Sequence, residues 1–179
     1  MDKQQISEIV RRVMNESNKV GKSEKQSISS PEMEFKNQIG TNITLDVAKR
    51  LIERVIVHAD EIGVKAVAAV VNSGARPVAV ECADGSYIAS YDIAMGKAYT
   101  SAALKMKTSY LKELAVPGGS LYGIQHTNGG KIVIFGGGVP LKIGDEVIGG
   151  FGVSGGTEEQ DTYLGDYAES VFCELISEK

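Results

Sequence analysis

Strand-forming residues and glycine alternate through the last third of the chain, in KIVIFGGGVPLKI (131–143) and EVIGGFGVSGG (146–156), and this mixture leaves few ways to fold. Glycine permits positive φ and close backbone approach, so such segments suit tight turns, bulges and crowded strand packing. KIVIF, VPLKI and EVIGGFGVSGG are expected as three strands, the last two turning at Gly144 and Asp145. Upstream, VKAVAAVV (64–71) and PVAVECA (77–83) read as an antiparallel pair across the turn NSGAR. The sum is a sheet of about five strands.

Helices precede, interrupt and follow these strands. Thr44 is placed to cap a helix whose Leu45, Ala48, Leu51, Ile52, Val55, Ile56, Ala59 and Ile62 form one apolar face ending at Gly63. Ser90 is expected to cap a second segment, running to Lys107, in which Ala94, Gly96, Ala98, Ser101, Ala102 and Ala103 are small enough for close backbone packing. A further helical turn is expected over Ser109 to Ala115. Thr157 and Gln160 make a capping box for a last helix with the stripe Leu164, Tyr167, Ala168, Val171, Phe172, Leu175 and Ile176. Hairpins linked in sequence with helices around them predict an antiparallel α+β sandwich rather than a parallel doubly wound sheet.

The leading segment differs. In residues 1–15, Ile6, Ile9, Val10, Val13 and Met14 recur at helical spacing against a polar opposite face, whereas 16–42 is polar without sustained periodicity. The expectation is an amphipathic helix, a flexible linker with a reach of about 25 to 30 Å, and a domain over 43–179. So short a helix needs a surface to cover its stripe: a partner's groove, or its own domain. A lipid surface is disfavoured because acidic and basic residues balance on the polar face. A net charge of −4 without a basic run argues against nucleic acid, and no apolar stretch is long enough for a membrane span or signal peptide, which points to the cytoplasm. Cys82 and Cys173 lack metal-ligand spacing and are expected as buried, reduced thiols.

Candidate chemistry gathers in three places. The turn GVSGGT joins a strand to a capped helix, where free amides and the helix dipole favour an anion, so a pocket around Gly137, Gly138, Ser154 and Gly155 is a candidate for an organic acid or phosphate. The competing reading is that these glycines serve packing alone. His58, on the first helix, and His126, in LYGIQHTNGG, each offer an imidazole to haem iron or another metal, against the alternative of ordinary structural residues. Glu158, Glu159 and Asp161 read as solvated groups suited to the helix dipole, with a weak surface metal site as the alternative. No Walker A loop or GxGxxG in a βαβ context is present, and Ser154 has no evident base, so neither nucleotide hydrolysis nor a serine nucleophile is expected.

SYDIAMGKAYTSA (90–102), IVIFGGGVPL (132–141) and GDEVIGGFGVSGGTEEQD (144–161), in this order, resemble the signature blocks of the GlcG/HbpS family, which includes the C-terminal domain of PduO-type proteins. The resemblance covers about 43–179. It implies a profilin-like fold with a five-stranded antiparallel sheet flanked by helices, a homo-oligomer, and haem as cofactor, with a cobalamin-related tetrapyrrole the less favoured guest. His58 is the leading ligand and His126 the second, with Lys97 meeting a propionate or carboxylate or else serving as a capping or solvated residue. Asn72, Ser73 and Gly74, and Cys82, Ala83 and Asp84, depart from the family pattern around the first hairpin, which puts the pocket's polarity in doubt. The leading helix resembles the encapsulation peptides that direct cargo to bacterial microcompartments. The combined expectation is a non-catalytic haem- or tetrapyrrole-binding accessory protein, held among microcompartment shell or cargo proteins through Ile6, Ile9, Val10, Val13 and Met14. The alternative is a sensor or enzyme for a small organic acid. The adenosyltransferase domain of full PduO has no counterpart here, so that activity is not expected.

Overall fold

The computed structural model describes residues 41–177, and the expected helix at 1–15 and nearly all of the 16–42 linker lie outside them. In chain order the elements are α1 (Leu45–Glu61), β1 (Val67–Asn72), β2 (Pro77–Cys82), α2 (Ile88–Leu104), α3 (Thr108–Ala115), β3 (Gly138–Ile143), β4 (Glu146–Ser154) and α4 (Glu158–Ser177). Local chemistry sets several of their ends. Thr44 Oγ1 accepts the Val47 amide at 3.4 Å and Gly63, at φ +75°, turns the chain out of α1. At α4, Thr157 N donates to Gln160 Oε1 while Gln160 N donates to Thr157 Oγ1, closing the predicted capping box.

The sheet is antiparallel throughout with strand order β2-β1-β4-β3. It is covered on both faces. Ala68 and Val70 of β1 join the larger core with Leu51, Ile52 and Val55 of α1 and Leu164, Val171 and Phe172 of α4. Val67, Ala69 and Val71 point the other way, onto Ala94, Ala98 and Ala102 of α2. Burial on both sides explains why β1 reads as a continuous apolar run without alternation.

Helix α2 lies unusually close to β4. A Cβ at Gly152 would collide with Ala94 O, and one at Gly150 with Ala98 O, so these glycines and the alanines of α2 define one contact surface.

Four expectations are corrected. The sheet has four strands among the described residues, not five, because KIVIF does not pair as a strand. Thr100 Oγ1 accepts the Val133 amide at 2.9 Å and donates to Gly96 O at 2.7 Å, so α2 satisfies this segment in place of a neighbouring strand. Ser90 does not cap α2, which begins at Ile88; its hydroxyl is buried 3.3 Å from Ser154 Oγ. Both cysteines are exposed, Cys82 at the end of edge strand β2 and Cys173 off the buried stripe of α4. On α1, Leu45 and Ile62 remain exposed at the two ends of the apolar face. Among the described residues no helix is long and apolar enough to cross a membrane.

Candidate functional site

The glycine-rich junction that invited an anion is closed by the chain itself. Lys97, on α2, is fully buried, and its ammonium donates to Asp161 Oδ2 at 2.6 Å and to Val153 O at 2.8 Å, with the Phe135 ring centroid 4.9 Å away. The other oxygen of Asp161 accepts the amides of Gly155 and Gly156 at 3.2 and 3.0 Å. Those are the amides expected to hold a ligand, and an internal carboxylate takes both. Burial pushes the Lys97 ammonium below the ordinary lysine range, and the adjoining Asp161 carboxylate draws it partly back.

Several readings of the junction change accordingly. Lys97 is neither solvated nor aimed at a guest's propionate; its carboxylate partner is internal. Gly137 and Gly138 serve packing. A Cβ at Gly137 would stand 2.8 Å from Val153 O and 2.9 Å from Lys97 Nζ, and the Gly138 amide donates to Thr108 Oγ1 at 2.9 Å. Ser154 and Gly155 do border a cavity of about 300 Å³ with Ser90, Phe135 and Glu158, but its amide donors are engaged by Asp161. Asp161 is buried rather than solvated, while Glu158 pairs with Lys112 at 2.7 Å and accepts the Gly136 amide at 3.3 Å. The Lys112 ammonium, helped by the Gly136 amide, holds the Glu158 carboxyl below its ordinary value of 4.5.

His58 occupies a different place, on the outer side of the α1 and α4 layer. Its Nδ1 meets Glu61 Oε2 at 3.0 Å, its Nε2 meets Tyr163 OH at 2.9 Å, and the Tyr167 ring centroid lies 4.1 Å from its own. These groups border a shallow depression of about 300 Å³ shared with Glu53, Arg54 and Val57. His126 is exposed on a 3₁₀ turn (Ile124–His126), its Nε2 3.4 Å from Gln125 Nε2. The residues proposed from sequence therefore do not form one site: the His58 depression includes neither His126 nor Lys97, Gly137, Gly138, Ser154 or Gly155. Among the described residues no three His, Cys, Asp or Glu side chains are grouped to hold a metal ion.

Glu61 was findable three positions after His58 on the same helix face, whereas Tyr163 and Tyr167 arrive from α4 through tertiary packing. A larger groove of about 570 Å³, lined by Arg76, Asp92, Met95, Tyr99 and Lys131 among others, also escaped the sequence reading. Its only local signal is the i, i+3, i+7 spacing of Asp92, Met95 and Tyr99 on α2.

Comparison with known proteins places this geometry in a family. Residues 43–168 match the family described as haem degrading protein HbpS-like. The chain belongs to this HbpS-like family. It is similar to a 15.0 kDa protein from the dhaT-dhaS intergenic region of Citrobacter freundii, with 43% identity over 143 residues, 80% of this chain and 100% of that protein. It is 32% identical over 119 residues to the corrinoid adenosyltransferase PduO of Citrobacter freundii, covering 66% of this chain but 36% of PduO, so it spans about a third of that relative's length. Among solved structures, the PduOC:heme complex superposes with a TM-score of 0.69 and 29% identity over 72% of this chain and 94% of the other. The HbpS-like matches thus fall on the α+β body that carries both His58 and the Lys97–Asp161 junction.

Proposed function

We propose that this HbpS-like chain binds haem or a related tetrapyrrole as an accessory protein, with His58 Nε2 as the iron ligand. The observation that carries the reading is the held imidazole. A metal-binding histidine commonly directs its second nitrogen to a carboxylate, which fixes the ring's orientation, and Glu61 stands at Nδ1 in that role. Tyr163 OH stands at Nε2 in this structure, and its half-exposed side chain would have to turn outward to free that nitrogen for iron. The half-exposed Val57 and the ring of Tyr167 offer apolar surface to the face of a macrocycle, and the Arg54 guanidinium borders the same depression. The donor set therefore fits haem. Bound there, the iron would supply redox or ligand-exchange chemistry. The chain's own part is to hold the ring through Glu61 and to shield one face of the macrocycle. The haem complex of the PduOC relative supports haem as the guest. The single antiparallel sheet with helices on both faces likewise supports a profilin-like arrangement, with four strands among the described residues.

Location inside a bacterial microcompartment, contact with shell or cargo proteins through Ile6, Ile9, Val10, Val13 and Met14, and self-assembly complete the proposal. The helical spacing of those residues and the likeness to PduO are what support it.

Titration of the full chain with haemin should shift the Soret band. His58→Ala should abolish the shift, and His126→Ala should leave it in place. Absence of a shift, or a shift indifferent to His58→Ala, overturns the assignment. For the address, a fluorescent protein fused after residues 1–20 should form puncta when shell proteins are co-expressed, and diffuse signal counts against it.

A further inference from the structure

The groove of about 570 Å³ lies on the α2 side of the sheet, the opposite helical layer from His58. Three parts of the chain build it. The floor is α2, through Asp92, Met95, Gly96 and Tyr99. One wall is the β1–β2 turn, in which Asn72 Oδ1 accepts the amides of Gly74 and Arg76, both at 3.0 Å, and Ala75 holds a left-handed φ of +55°. Such a conformation costs an alanine roughly 1 kcal/mol or more, and here it turns the chain so that Arg76 follows at the groove's edge.

The facing wall is the segment that failed to become a strand. Gly96 lets it approach, since a Cβ there would stand 2.6 Å from Val133 Cγ2. Thr100 pins Val133 by its amide, and Lys131 lies with its ammonium 5.6 Å from the Tyr99 ring centroid. Asn128 donates to Tyr99 OH at 3.2 Å and so fixes the ring on which that cation rests.

The charges in the groove are not satisfied from within. Arg54, Lys65, Lys97, Lys107 and Lys112 each pair with a carboxylate, but Arg76, Lys131 and Asp92 form no ion pair among the described residues. In a chain of net charge −4, two unpaired cations converging on one concavity are a local excess of positive charge. A guanidinium and an ammonium facing one space suit a carboxylate, with the guanidinium supplying two parallel donors. Met95, Val133 and Pro77 give the remainder of a ligand an apolar surface, and Asp92 accepts from a hydroxyl.

We infer that this groove is a binding site for a small hydroxycarboxylate, its carboxylate held between Arg76 and Lys131 and its hydroxyl by Asp92. The site is separate from the haem assignment and stands or falls without it.

Calorimetric titration of the full chain with sodium lactate and with sodium propionate, at matched ionic strength, tests the inference. Lactate should bind saturably and at least fivefold more tightly than propionate. The Arg76→Ala/Lys131→Ala double variant, whose far-UV circular dichroism should match wild type because both side chains are exposed, should weaken lactate at least tenfold. Asp92→Ala should erase the preference for lactate over propionate. No saturable lactate binding, affinity unchanged in the double variant, or equal affinity for the two acids in wild type would each overturn it. Haemin titration of the same double variant should be unaltered, which separates the two sites.

Discussion

Helix α2 meets basic side chains on two sides, its own Lys97 on one and Arg76 and Lys131 from neighbouring segments on the other, and the two sides treat charge in opposite ways. At the junction with β4, Lys97 is fully buried and every group near it is answered from within: Asp161 takes the ammonium and, with its second oxygen, the amides of Gly155 and Gly156. Along the groove, Arg76 and Lys131 approach the same helix without an ion-pair partner among the described residues. A polar cluster that satisfies itself consolidates a fold, because a guest would have to displace an internal partner and leave a buried charge exposed to low dielectric. A cluster facing open space with its charges unanswered has affinity to spare. Glycine-rich sequence drew attention to the first, whereas the hydroxycarboxylate site proposed above lies at the second.

This contrast can be broken by measuring stability on each side. Lys97→Ala strands the Asp161 carboxylate in the core and should cost about 3 to 5 kcal/mol in chemical denaturation, since removing one partner of a buried pair leaves an uncompensated charge. A loss under about 1 kcal/mol would show that water reaches the junction and that it is not closed. Gly152→Ala comes next. Its methyl group would meet Ala94 O and Ala98 N, and relief requires α2 to move off β4, which should cost roughly 1 to 3 kcal/mol in the same assay.

Glu158 sharpens the comparison at the junction's solvent edge. Its folded-state pKa lies below the ordinary 4.5, chiefly through Lys112, so its contribution is complete above that value and disappears as pH falls through the depressed one. Glu158→Gln should therefore flatten part of the acid limb in a denaturation series from neutral pH to about pH 3, and added salt should shrink the difference between variant and wild type. An unchanged acid limb would remove Glu158 from the junction's account. The smallest effect belongs to the groove. Arg76→Ala and Lys131→Ala should each alter stability by no more than about 0.5 kcal/mol, as expected of exposed side chains that form no ion pair among the described residues. A larger loss would mean that the groove, too, is structural.

Much of the architecture follows from neighbours in sequence. Thr44 and Gly63 bound α1, Thr157 and Gln160 open α4, and the small residues of α2 announce a helix pressed against a backbone, because capping and close packing depend on residue type within one or two turns. KIVIF misled for the converse reason. Its β-forming composition is real, but Thr100 of α2 takes the Val133 amide, and no property of five consecutive residues reveals that a helix hydroxyl lies in reach. The cysteines likewise depend on which strand became an edge and on which stripe of α4 met the core.

The site divides along the same line. The sequence alone determined that His58 stands on a helix with Glu61 one turn on, and that GVSGGT opens a capped helix. Only the folded chain decided that Asp161 reaches Lys97 across 64 positions and cancels the expected anion site, and that Arg76 and Lys131 face one groove from separate walls. Charge compensation is a matter of distance and dielectric, and both are properties of the assembled core rather than of any segment taken singly.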